Sequence, residues 1–440
     1  MHIPIPSSKS ITQRAIAAAL LSNGASVIEN FSECDDTTAA LRMAQRLGAK
    51  VYRENGILYI EGNSFLHNCH DRTNILRSCG LKPPRPSDTL PPLPLQRRGI
   101  MEGNLLRSSH LHSGESALAL RMFAPIAALS GEEIMFIGEG SLLNRPVDMI
   151  VNALEQGGVK CTTNDGKLPL TLSEKLKNGH FHIDGSVTSQ ILTGLLMALP
   201  VVEGDSVVVV ENLKSKPYID LTMDVLQSFG IEIENNNYHT FFIRGNQRYS
   251  PCRYVVEGDW SSAVFWLVAG AIYKSVSVSG LNPNSKQADR AILDALKLAN
   301  CTVECQKGIF TSKKSEIAPF TFDASDYPDL IPILTLLAAC AKGVSKIYGA
   351  YRLAFKESDR TAVLIQQFAK AGISLRQNDD ILEITGGDIQ GCTINPHNDH
   401  RIAMTFGIAS LVATSEIMIE NKECVRKSYP DFWKHLRIFV

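Results

Sequence analysis

The chain has 440 residues, of which 44% are hydrophobic and 20% are charged, so it can bury a large core and is expected to form about two domains. Its 44 Lys and Arg residues nearly balance 45 Asp and Glu residues, and no bulk charge therefore favours nucleic acid or a membrane surface as a partner. No apolar run is long enough to span a bilayer. The first residues, MHIPIPSSKS, lack a basic flank before an apolar segment, and we expect a cytoplasmic protein without a signal peptide.

A sequence pattern recurs six times: a short polar cluster precedes an apolar helix, which ends in small residues and leads into a β-rich strand. Repetition on this scale indicates one supersecondary unit that is used several times. The N-terminus of a helix carries partial positive charge and unpaired N–H groups, so several such ends brought together would bind an anionic ligand. In chain order the clusters are Lys9-Ser10, Gly114-Glu115-Ser116, Thr188-Ser189-Gln190, Asp259-Trp260-Ser261-Ser262, Tyr327-Pro328-Asp329 and Asn398-Asp399-His400-Arg401.

A second helix is predicted in each unit, after the strand. Its apolar residues recur three and four positions apart, and Gly or Asn ends the helix before an alternating strand. These segments start at Asp35, Arg145, Lys216, Ala288 and Lys356, with a partial sixth from Lys427. The pattern predicts an α/β fold with two domains of three units each.

One segment does not fit the repeat. Residues 67–112 include KPPRPSDTLPPLPLQRRG, with six prolines between Pro83 and Pro94. Proline lacks a backbone donor and cannot continue a helix, so we expect a surface insertion; a polyproline docking segment is the alternative. A His-Asn-Cys-His cluster that begins at His67 fits no standard ligand spacing, and we expect no metal.

Cations occupy the starts of several predicted elements, where the helix dipole favours acidic residues instead. Lys9, Arg145, Lys216, Lys356 and Lys427 all break that preference. A single charged residue at a helix end is usually solvated, but a systematic conflict with local preference is expected at a functional site. These positions therefore predict one shared site for an anionic small molecule.

The motifs at these positions resemble those of the 5-enolpyruvylshikimate-3-phosphate synthase family. In order they read SSKSITQRA, RPVD, DGSVTSQILTGLLM, SKPYID, DYPDL, FKESDR and NDHRIAM, and they cover nearly the whole chain apart from the proline-rich segment. The resemblance implies a two-domain inside-out α/β barrel, in which each domain has three βαβαββ repeats with buried helices and outer sheets. It assigns residues 9–256 to the first domain and residues 1–8 plus 257–440 to the second, with the active site in the cleft between them.

The resemblance also implies the reaction. Members of the family transfer the enolpyruvyl group of phosphoenolpyruvate to the 5-hydroxyl of shikimate 3-phosphate by addition and elimination, in the shikimate pathway to the aromatic amino acids. They use neither a metal nor an organic cofactor. We accordingly expect a transferase with these two small-molecule substrates, no cofactor, no nucleic-acid or membrane partner, and a monomeric state.

The functional residues of the family map onto matching positions of this chain. Those implied to bind shikimate 3-phosphate are Lys9, Ser10, Arg14, Thr188, Ser189, Gln190, Ser215, Tyr218, Asp329 and Lys356. Those implied to bind phosphoenolpyruvate are Lys9, Arg121, Arg145, Gln190, Arg360, Arg401 and Lys427. Those implied in catalysis are Lys9, Asp329, Glu357 and His400, with proton transfer assigned to the two carboxylates. Arg predominates at the phosphoenolpyruvate positions because a guanidinium pairs with carboxylate or phosphate through two hydrogen bonds.

Three positions depart from the family pattern. The family has an Asn-Ala-Gly-Thr-like stretch shortly before Arg121, whereas this chain has ESAL from Glu115 to Leu118. Ala117 therefore replaces the family glycine, and Glu115 adds an acid beside the predicted phosphoenolpyruvate pocket. Arg352 stands where Asn is frequent.

Two alternatives remain open at the level of sequence. UDP-N-acetylglucosamine enolpyruvyl transferase shares the fold and the donor, but that family has Asn after its lysine and a Cys before its Arg-Pro turn. Here Ser10 follows Lys9, and no Cys precedes Arg145. A non-catalytic, ligand-binding homologue is suggested by the altered ESAL stretch and the insertion. The retained functional residues argue against it: Lys9, Arg14, Asp329, Glu357, Arg360, His400, Arg401 and Lys427.

The methyl group of Ala117 predicts tolerance of glyphosate, an inhibitor of this family that occupies the phosphoenolpyruvate site and is longer than the substrate. A packed pocket is sensitive to one extra carbon, and the charge of Glu115 adds like-charge repulsion. We expect Ala117→Gly to bind glyphosate more tightly, measured as the inhibition constant relative to the KM for phosphoenolpyruvate. Much tighter binding of glyphosate than of phosphoenolpyruvate, with no further gain in Ala117→Gly, would contradict the steric argument.

Overall fold

The computed structural model describes residues 2–62 and 110–440 and contains twelve α-helices within those ranges. Six of these helices follow the six polar clusters of the sequence, as predicted, and they alternate with the second helices of the units. The helices are α1 (Lys9–Leu21), α2 (Asp35–Arg46), α3 (Ala117–Ala127), α4 (Asp148–Gln156), α5 (Gln190–Ala198), α6 (Lys216–Ser228), α7 (Trp260–Ile272), α8 (Ile292–Leu298), α9 (Ile331–Ala339), α10 (Arg360–Lys370), α11 (His400–Ala409) and α12 (Phe432–Phe439).

The described residues also form 22 strands. They are β1 (His2–Pro4), β2 (Ala25–Glu29), β3 (Lys50–Glu54), β4 (Ile57–Glu61), β5 (His110–His112), β6 (Ile134–Ile137), β7 (Lys160–Asn164), β8 (Lys167–Ser173), β9 (His180–Asp184), β10 (Ser206–Glu211), β11 (Glu234–Asn236), β12 (Thr240–Ile243), β13 (Arg253–Val255), β14 (Val276–Ser279), β15 (Thr302–Gln306), β16 (Ile309–Lys313), β17 (Thr321–Asp323), β18 (Val344–Tyr348), β19 (Ser374–Asn378), β20 (Ile381–Thr385), β21 (Thr393–Ile394) and β22 (Met418–Ile419).

The strands form one sheet per unit, and five of the six sheets share the same topology. Their orders are β13-β2-β4-β3, β5-β6-β8-β7, β9-β10-β12-β11, β1-β14-β16-β15 and β17-β18-β20-β19, and the sixth pairs only β21 with β22. In each four-stranded sheet the first pairing is parallel and the other two are antiparallel. Every four-stranded unit therefore has the same strand pattern, as the sequence repeat predicts.

The two helices of a unit differ in burial for a reason visible in the sequence. In α1 all residues from Ile11 to Leu21 are buried, whereas α2 buries only one side. A helix that is apolar all round must lie inside, while an amphipathic helix covers a surface with one face. The apolar helices therefore form the interior, and the sheets and amphipathic helices surround them.

The buried residues form two hydrophobic cores. One core runs from Ile11 to Val256, and the other combines Ile3 and Ile5 with residues from Trp260 to Phe439. We call residues 9–256 the first half and residues 2–8 plus 257–440 the second half. The chain start joins the second half because β1 pairs in parallel with β14. The division of the halves into domains with the stated boundaries stays a prediction.

The predicted insertion at residues 67–112 lies mostly outside the described residues, as does the cluster that begins at His67. Its predicted end is wrong by three residues, because His110–His112 form strand β5 and pair with β6. In the described parts of the chain, no helix combines the length and the apolar character that a membrane span requires.

Helices α3 and α5 pack closely through Gly194, and this contact is testable. A Cβ atom at Gly194 would lie 2.6 Å from the carbonyl oxygen of Arg121 and 2.9 Å from Cγ of Pro125. Gly194→Ala must separate the two helices, so we expect a loss of about 1–3 kcal/mol in the free energy of unfolding, measured by chemical denaturation. The control is Gly179→Ala, where nothing lies within 4 Å of the added carbon; equal losses in both variants would contradict the packing argument.

Candidate active site

A cavity that is partly open to solvent lies between the two halves. The structure brings together every residue that the sequence assigns to the site, with the exception of Arg360. Eight cationic side chains and five carboxylates line the cavity, which leaves an excess of three positive charges. Its composition therefore suits a strongly anionic ligand.

Lys9 lies at the first residue of α1, where the chain passes from the second half into the first. The carbonyl oxygen of Ser8 accepts hydrogen bonds from the amide of Thr12 at 2.9 Å and from its hydroxyl at 2.8 Å, which fixes the start of the helix. Lys9 Nζ lies 2.9 Å from Asp36 Oδ2. Burial alone would lower the pKa of Lys9, but the Asp36 carboxylate outweighs it and raises the pKa. Lys9 is therefore an ammonium ion inside the cavity.

Arg14 is a buried cation whose partners in the described residues are all neutral. Its guanidinium donates to Thr222 Oγ1 at 2.9 Å, to the carbonyl of Ser10 at 2.9 Å and to the carbonyl of Tyr218 at 3.3 Å. The side chain lines the cavity, and burial lowers its pKa to about 10. Burying an arginine without a counter-ion costs free energy, so the position of Arg14 is suited to an anionic group of a ligand.

Two arginines, Arg121 and Arg145, lie where the sequence predicts the phosphoenolpyruvate site. Arg121 donates to Gln190 Oε1 at 2.9 Å, and burial together with the charge of Arg145 lowers the pKa of Arg121 to about 10. Arg145 has buried nitrogens without a hydrogen bond, and its nearest carboxylate in the described residues is Glu357 at 3.6 Å. Two cations side by side in the wall of the cavity are suited to an anionic ligand.

Hydroxyl groups and a cation form another part of the wall. Thr188, Ser189 and Ser215 all line the cavity. Ser215, at the start of α6, accepts a hydrogen bond from Arg352 Nη2 at 3.1 Å. Arg352 belongs to the second half and also donates to the carbonyl of Val187 in the first half, at 3.0 Å. The sequence shows Arg352 only as a departure from the family pattern, and its position in the wall becomes apparent only when the halves meet.

Asp329 connects more cations than any other single carboxylate in the described wall. Its Oδ1 lies 2.8 Å from Arg360 and 3.3 Å from Lys356, and its Oδ2 lies 3.2 Å from Arg401. Tyr218 donates its hydroxyl to Oδ2 at 3.4 Å. Burial by itself would raise the pKa of Asp329, but the three cations hold it well below its usual range. Asp329 is therefore an ionised carboxylate.

Glu357 is also ionised, and Arg360 is the main cause. Arg360 donates to Glu357, to Asp329 and, at 2.7 Å, to Asp399. Burial would raise the pKa of Glu357, but the charges of Arg360 and Arg145 hold it well below the usual range. Arg360 is fully buried and does not line the cavity, although the sequence assigns it to phosphoenolpyruvate; its charge is compensated by three carboxylates of the protein.

His400 follows the N-cap of α11, where the Asp399 side chain accepts from the Arg401 amide at 3.0 Å. Its ring is 3% exposed, and neither nitrogen has a hydrogen-bond partner among the described residues. Burial, with the charge of Lys9 nearby, lowers the pKa of His400 well below its ordinary value. The ring is therefore neutral, with one nitrogen free to donate and the other to accept.

Asp289 is a residue near the site that the sequence analysis misses. It is 1% exposed, accepts a hydrogen bond from Ser261 and lies 3.5 Å from Arg401. Burial raises its pKa to about 6, although Arg401 acts in the opposite direction. The only signal in the sequence is an acidic residue at the start of a second helix, where Asp is common for helix stability alone.

Ala117 and Glu115, the two departures near Arg121, both line the cavity. Ser116 is the N-cap of α3 and accepts from the amide of Ala119 at 3.3 Å. Ala117 is therefore the first residue of the helix, and it is 6% exposed. Glu115 forms an ion pair with Lys427.

The family model and the curated relatives that match this chain describe the same kind of protein. The family model described as EPSP synthase (3-phosphoshikimate 1-carboxyvinyltransferase) matches residues 2–80 and 98–436. The unmatched residues 81–97 lie within the proline-rich segment. Among curated proteins, the 3-phosphoshikimate 1-carboxyvinyltransferase of Clostridium novyi is 38% identical over 98% of this chain and 93% of its own length. That of Clostridium kluyveri is 35% identical, over 99% of this chain and 94% of its own length.

Solved structures show the same fold. The EPSP synthase from Acinetobacter baumannii has a TM-score of 0.76 and 24% sequence identity, covering 100% of this chain and 95% of its own. The enolpyruvyl transferase NikO from Streptomyces tendae has a TM-score of 0.73 and 17% identity, covering 100% and 94%. The arrangement of helices and sheets is thus that of the enolpyruvyl transferases.

The neutral ring of His400 predicts a pH dependence of stability. Its pKa is lower in the folded protein than in the unfolded chain, so below pH ~6.5 the unfolded chain binds a proton that the folded protein does not. As the pH is lowered, His400 should therefore reduce the free energy of unfolding by up to about 1.4 kcal/mol per pH unit. In His400→Gln the free energy of unfolding should decrease less steeply between pH 7 and pH 5. Denaturant titrations at several pH values measure this slope. The exposed His180→Gln should keep the wild-type slope, and equal slopes in wild type and His400→Gln would contradict the assignment.

Proposed function

The chain belongs to the EPSP synthase family of 3-phosphoshikimate 1-carboxyvinyltransferases, and from that premise we propose which of its residues carry out the reaction. The enzyme transfers the enolpyruvyl group of phosphoenolpyruvate to the 5-hydroxyl of shikimate 3-phosphate and releases phosphate, a step of aromatic amino-acid biosynthesis. The observation that carries the assignment of residues is the set of buried cations that line the cavity with little or no internal compensation. A location in the cytoplasm and a monomeric state stay predictions.

Shikimate 3-phosphate is assigned to the part of the cavity built mainly by the first half. Arg14 suits the ring carboxylate, because no carboxylate of the described protein neutralises it. Thr188, Ser189 and Ser215 supply hydroxyl donors for the phosphate, with Lys356 as the nearby cation. Ser10, Gln190, Tyr218 and Asp329 complete this binding set.

Phosphoenolpyruvate is assigned to cations from both halves. Arg121 and Arg145 come from the first half, and Arg401 and Lys427 come from the second. Because the donor is an anion, its binding between these groups offsets their mutual repulsion and favours contact of the two halves. Lys9 lies where the halves connect and can contact both substrates.

For Arg360 the geometry favours an indirect role. Its three nitrogens are taken up by Asp399, Asp329 and Glu357, and no part of it lines the cavity. We therefore assign Arg360 the task of orienting and ionising the two carboxylates instead of direct contact with phosphoenolpyruvate.

The reaction needs a base for the 5-hydroxyl, an acid for the methylene carbon and stabilisation of the departing phosphate. Asp329 and Glu357 are both ionised at the outset, so each starts as a proton acceptor. In the addition step, the 5-oxygen bonds to the central carbon of phosphoenolpyruvate, one carboxylate takes the hydroxyl proton, and the carboxylic acid so formed gives that proton to the methylene carbon. In the elimination step, the bond between the central carbon and the phosphate oxygen breaks, the ionised carboxylate takes a proton from the methyl group, which restores the double bond, and the departing phosphate then takes that proton.

Two features assist these steps. Arg121, Arg145 and Lys427 offset the charge that develops on the departing phosphate, as preorganised donors do in many transferases. The neutral ring of His400 lies near the charges of Lys9 and Glu357, which both affect its pKa. One of its nitrogens can donate a hydrogen bond and the other can accept one, so the ring can connect the substrate to a carboxylate. Neither the comparisons nor the geometry favours UDP-N-acetylglucosamine transfer or a non-catalytic binding role.

The assignment of Glu357 is tested by Glu357→Gln. The amide keeps the shape and can still accept a hydrogen bond from Arg360, but it cannot exchange a proton, so kcat should fall by about 10²–10⁴-fold while both KM values change little. Release of phosphate from phosphoenolpyruvate, with and without shikimate 3-phosphate, measures both quantities. Glu316→Gln, a change at an exposed ion pair, serves as the control. Near-normal turnover in Glu357→Gln would move the acid–base role to another group.

A further inference from the structure

A carboxylate of the first half reaches across the cleft to the second half. Glu115 Oε2 lies 2.9 Å from Lys427 Nζ, and the two side chains are 17% and 8% exposed. The same carboxylate accepts hydrogen bonds from Asn398 Nδ2 at 3.1 and 3.2 Å. One acid therefore binds two residues of the opposite half, at the end of the cavity assigned to phosphoenolpyruvate.

The first half holds Glu115 in this position. Glu115 Oε2 accepts from the amide of Ser141 at 3.1 Å and from its hydroxyl at 3.3 Å. Gly140 has φ +56°, and a Cβ atom there would collide with the Glu115 carboxylate, so glycine is needed both for the backbone and for space. Glu115 is thus a preorganised group, unlike a mobile acid on the surface.

Glu115 is ionised, and Lys427 has a second anchor. Burial would raise the pKa of Glu115, but Lys427, the Ser141 amide and Asn398 together lower it below the usual range. Lys427 Nζ also donates to the carbonyl of Asn398 at 2.6 Å. The position of Lys427 therefore does not depend on Glu115 alone. The Glu115 carboxylate does, however, cancel the charge of the Lys427 ammonium group.

We propose that Glu115 is a specificity-determining residue, which neutralises Lys427 inside the protein and thereby weakens the binding of the anionic donor. The proposal rests on the assignment of the donor to this end of the cavity. An anion that approaches Lys427 meets a carboxylate 2.9 Å from the same ammonium. Either the two negative groups repel each other, or the ion pair between the halves must break, and both outcomes reduce affinity. The donor then depends mainly on Arg121, which forms no ion pair among the described residues, and on Arg145, whose nearest carboxylate is Glu357 at 3.6 Å.

Glu115→Gln tests this inference, because the amide keeps the hydrogen bond from Ser141 and removes the charge. The KM for phosphoenolpyruvate should fall by roughly three- to tenfold, the range expected when one partly buried like charge is removed. The KM for shikimate 3-phosphate should change by less than about twofold, since its assigned contacts lie elsewhere. A merely structural role would not produce this split between the two substrates. Glu115→Ala, which also removes the charge, should shift the same constant in the same direction.

A further variant separates a local effect from a general one. Glu139→Gln removes an exposed charge from a neighbouring cavity, which Glu115 and Lys427 also line, and it should leave both KM values unchanged.

The outcomes are distinct. An unchanged or higher KM for phosphoenolpyruvate in both Glu115 variants, or an equal fall in Glu139→Gln, would overturn the proposal. Wild-type protein that releases no phosphate at saturating substrates would overturn the proposed function instead. In that case calorimetric titration of phosphoenolpyruvate into wild type and Glu115→Gln still decides whether Glu115 weakens anion binding.

Discussion

The central constraint in this molecule is the cost of burying cations without counter-ions. Eight cationic side chains converge on one cavity, and five carboxylates in its wall compensate only part of their charge. Arg14 and Arg121 form no ion pair with a carboxylate among the described residues, and burial depresses the pKa of both. A protein can maintain such an arrangement if the scaffold is stable and if ligands supply the missing charge. The same excess of positive charge suits the cavity to anionic substrates.

The scaffold provides this arrangement by repetition. Each unit buries an apolar helix behind a sheet, and the start of that helix lies near the cleft, so one local pattern supplies a polar cluster at each repeat. Because the helices are buried on all sides, their ends are held firmly, as shown by the close contact of α3 and α5 at Gly194. The packing of the interior thus fixes the positions of Arg121 and Gln190 at the surface of the cavity.

The cations in and behind the wall of the cavity differ in their partners. Arg360 and Arg401 are joined to carboxylates, and they help to hold Asp329 and Glu357 in the ionised form. Arg14 and Arg121 form no ion pair with a carboxylate among the described residues. Lys427 lies between these groups, since it lines the cavity but is paired with Glu115. Whether a cation in this protein can bind a ligand therefore depends less on its residue type than on whether a carboxylate of the protein is paired with it.

The sequence alone determined the elements: apolar periodicity is local, and it predicted the buried helices, the amphipathic helices and the polar clusters at their starts. It also led to the site residues through motifs at those starts. It could not show that Arg360 lies behind three carboxylates, that Asp289 is buried beside Arg401, or that Glu115 pairs with Lys427, 312 positions away. The assignment of residues 1–8 to the second domain came only from resemblance to a family, and the pairing of β1 with β14 was not predicted. These features depend on contacts between segments that are far apart in the chain. The periodicity of a single segment carries no information about such contacts.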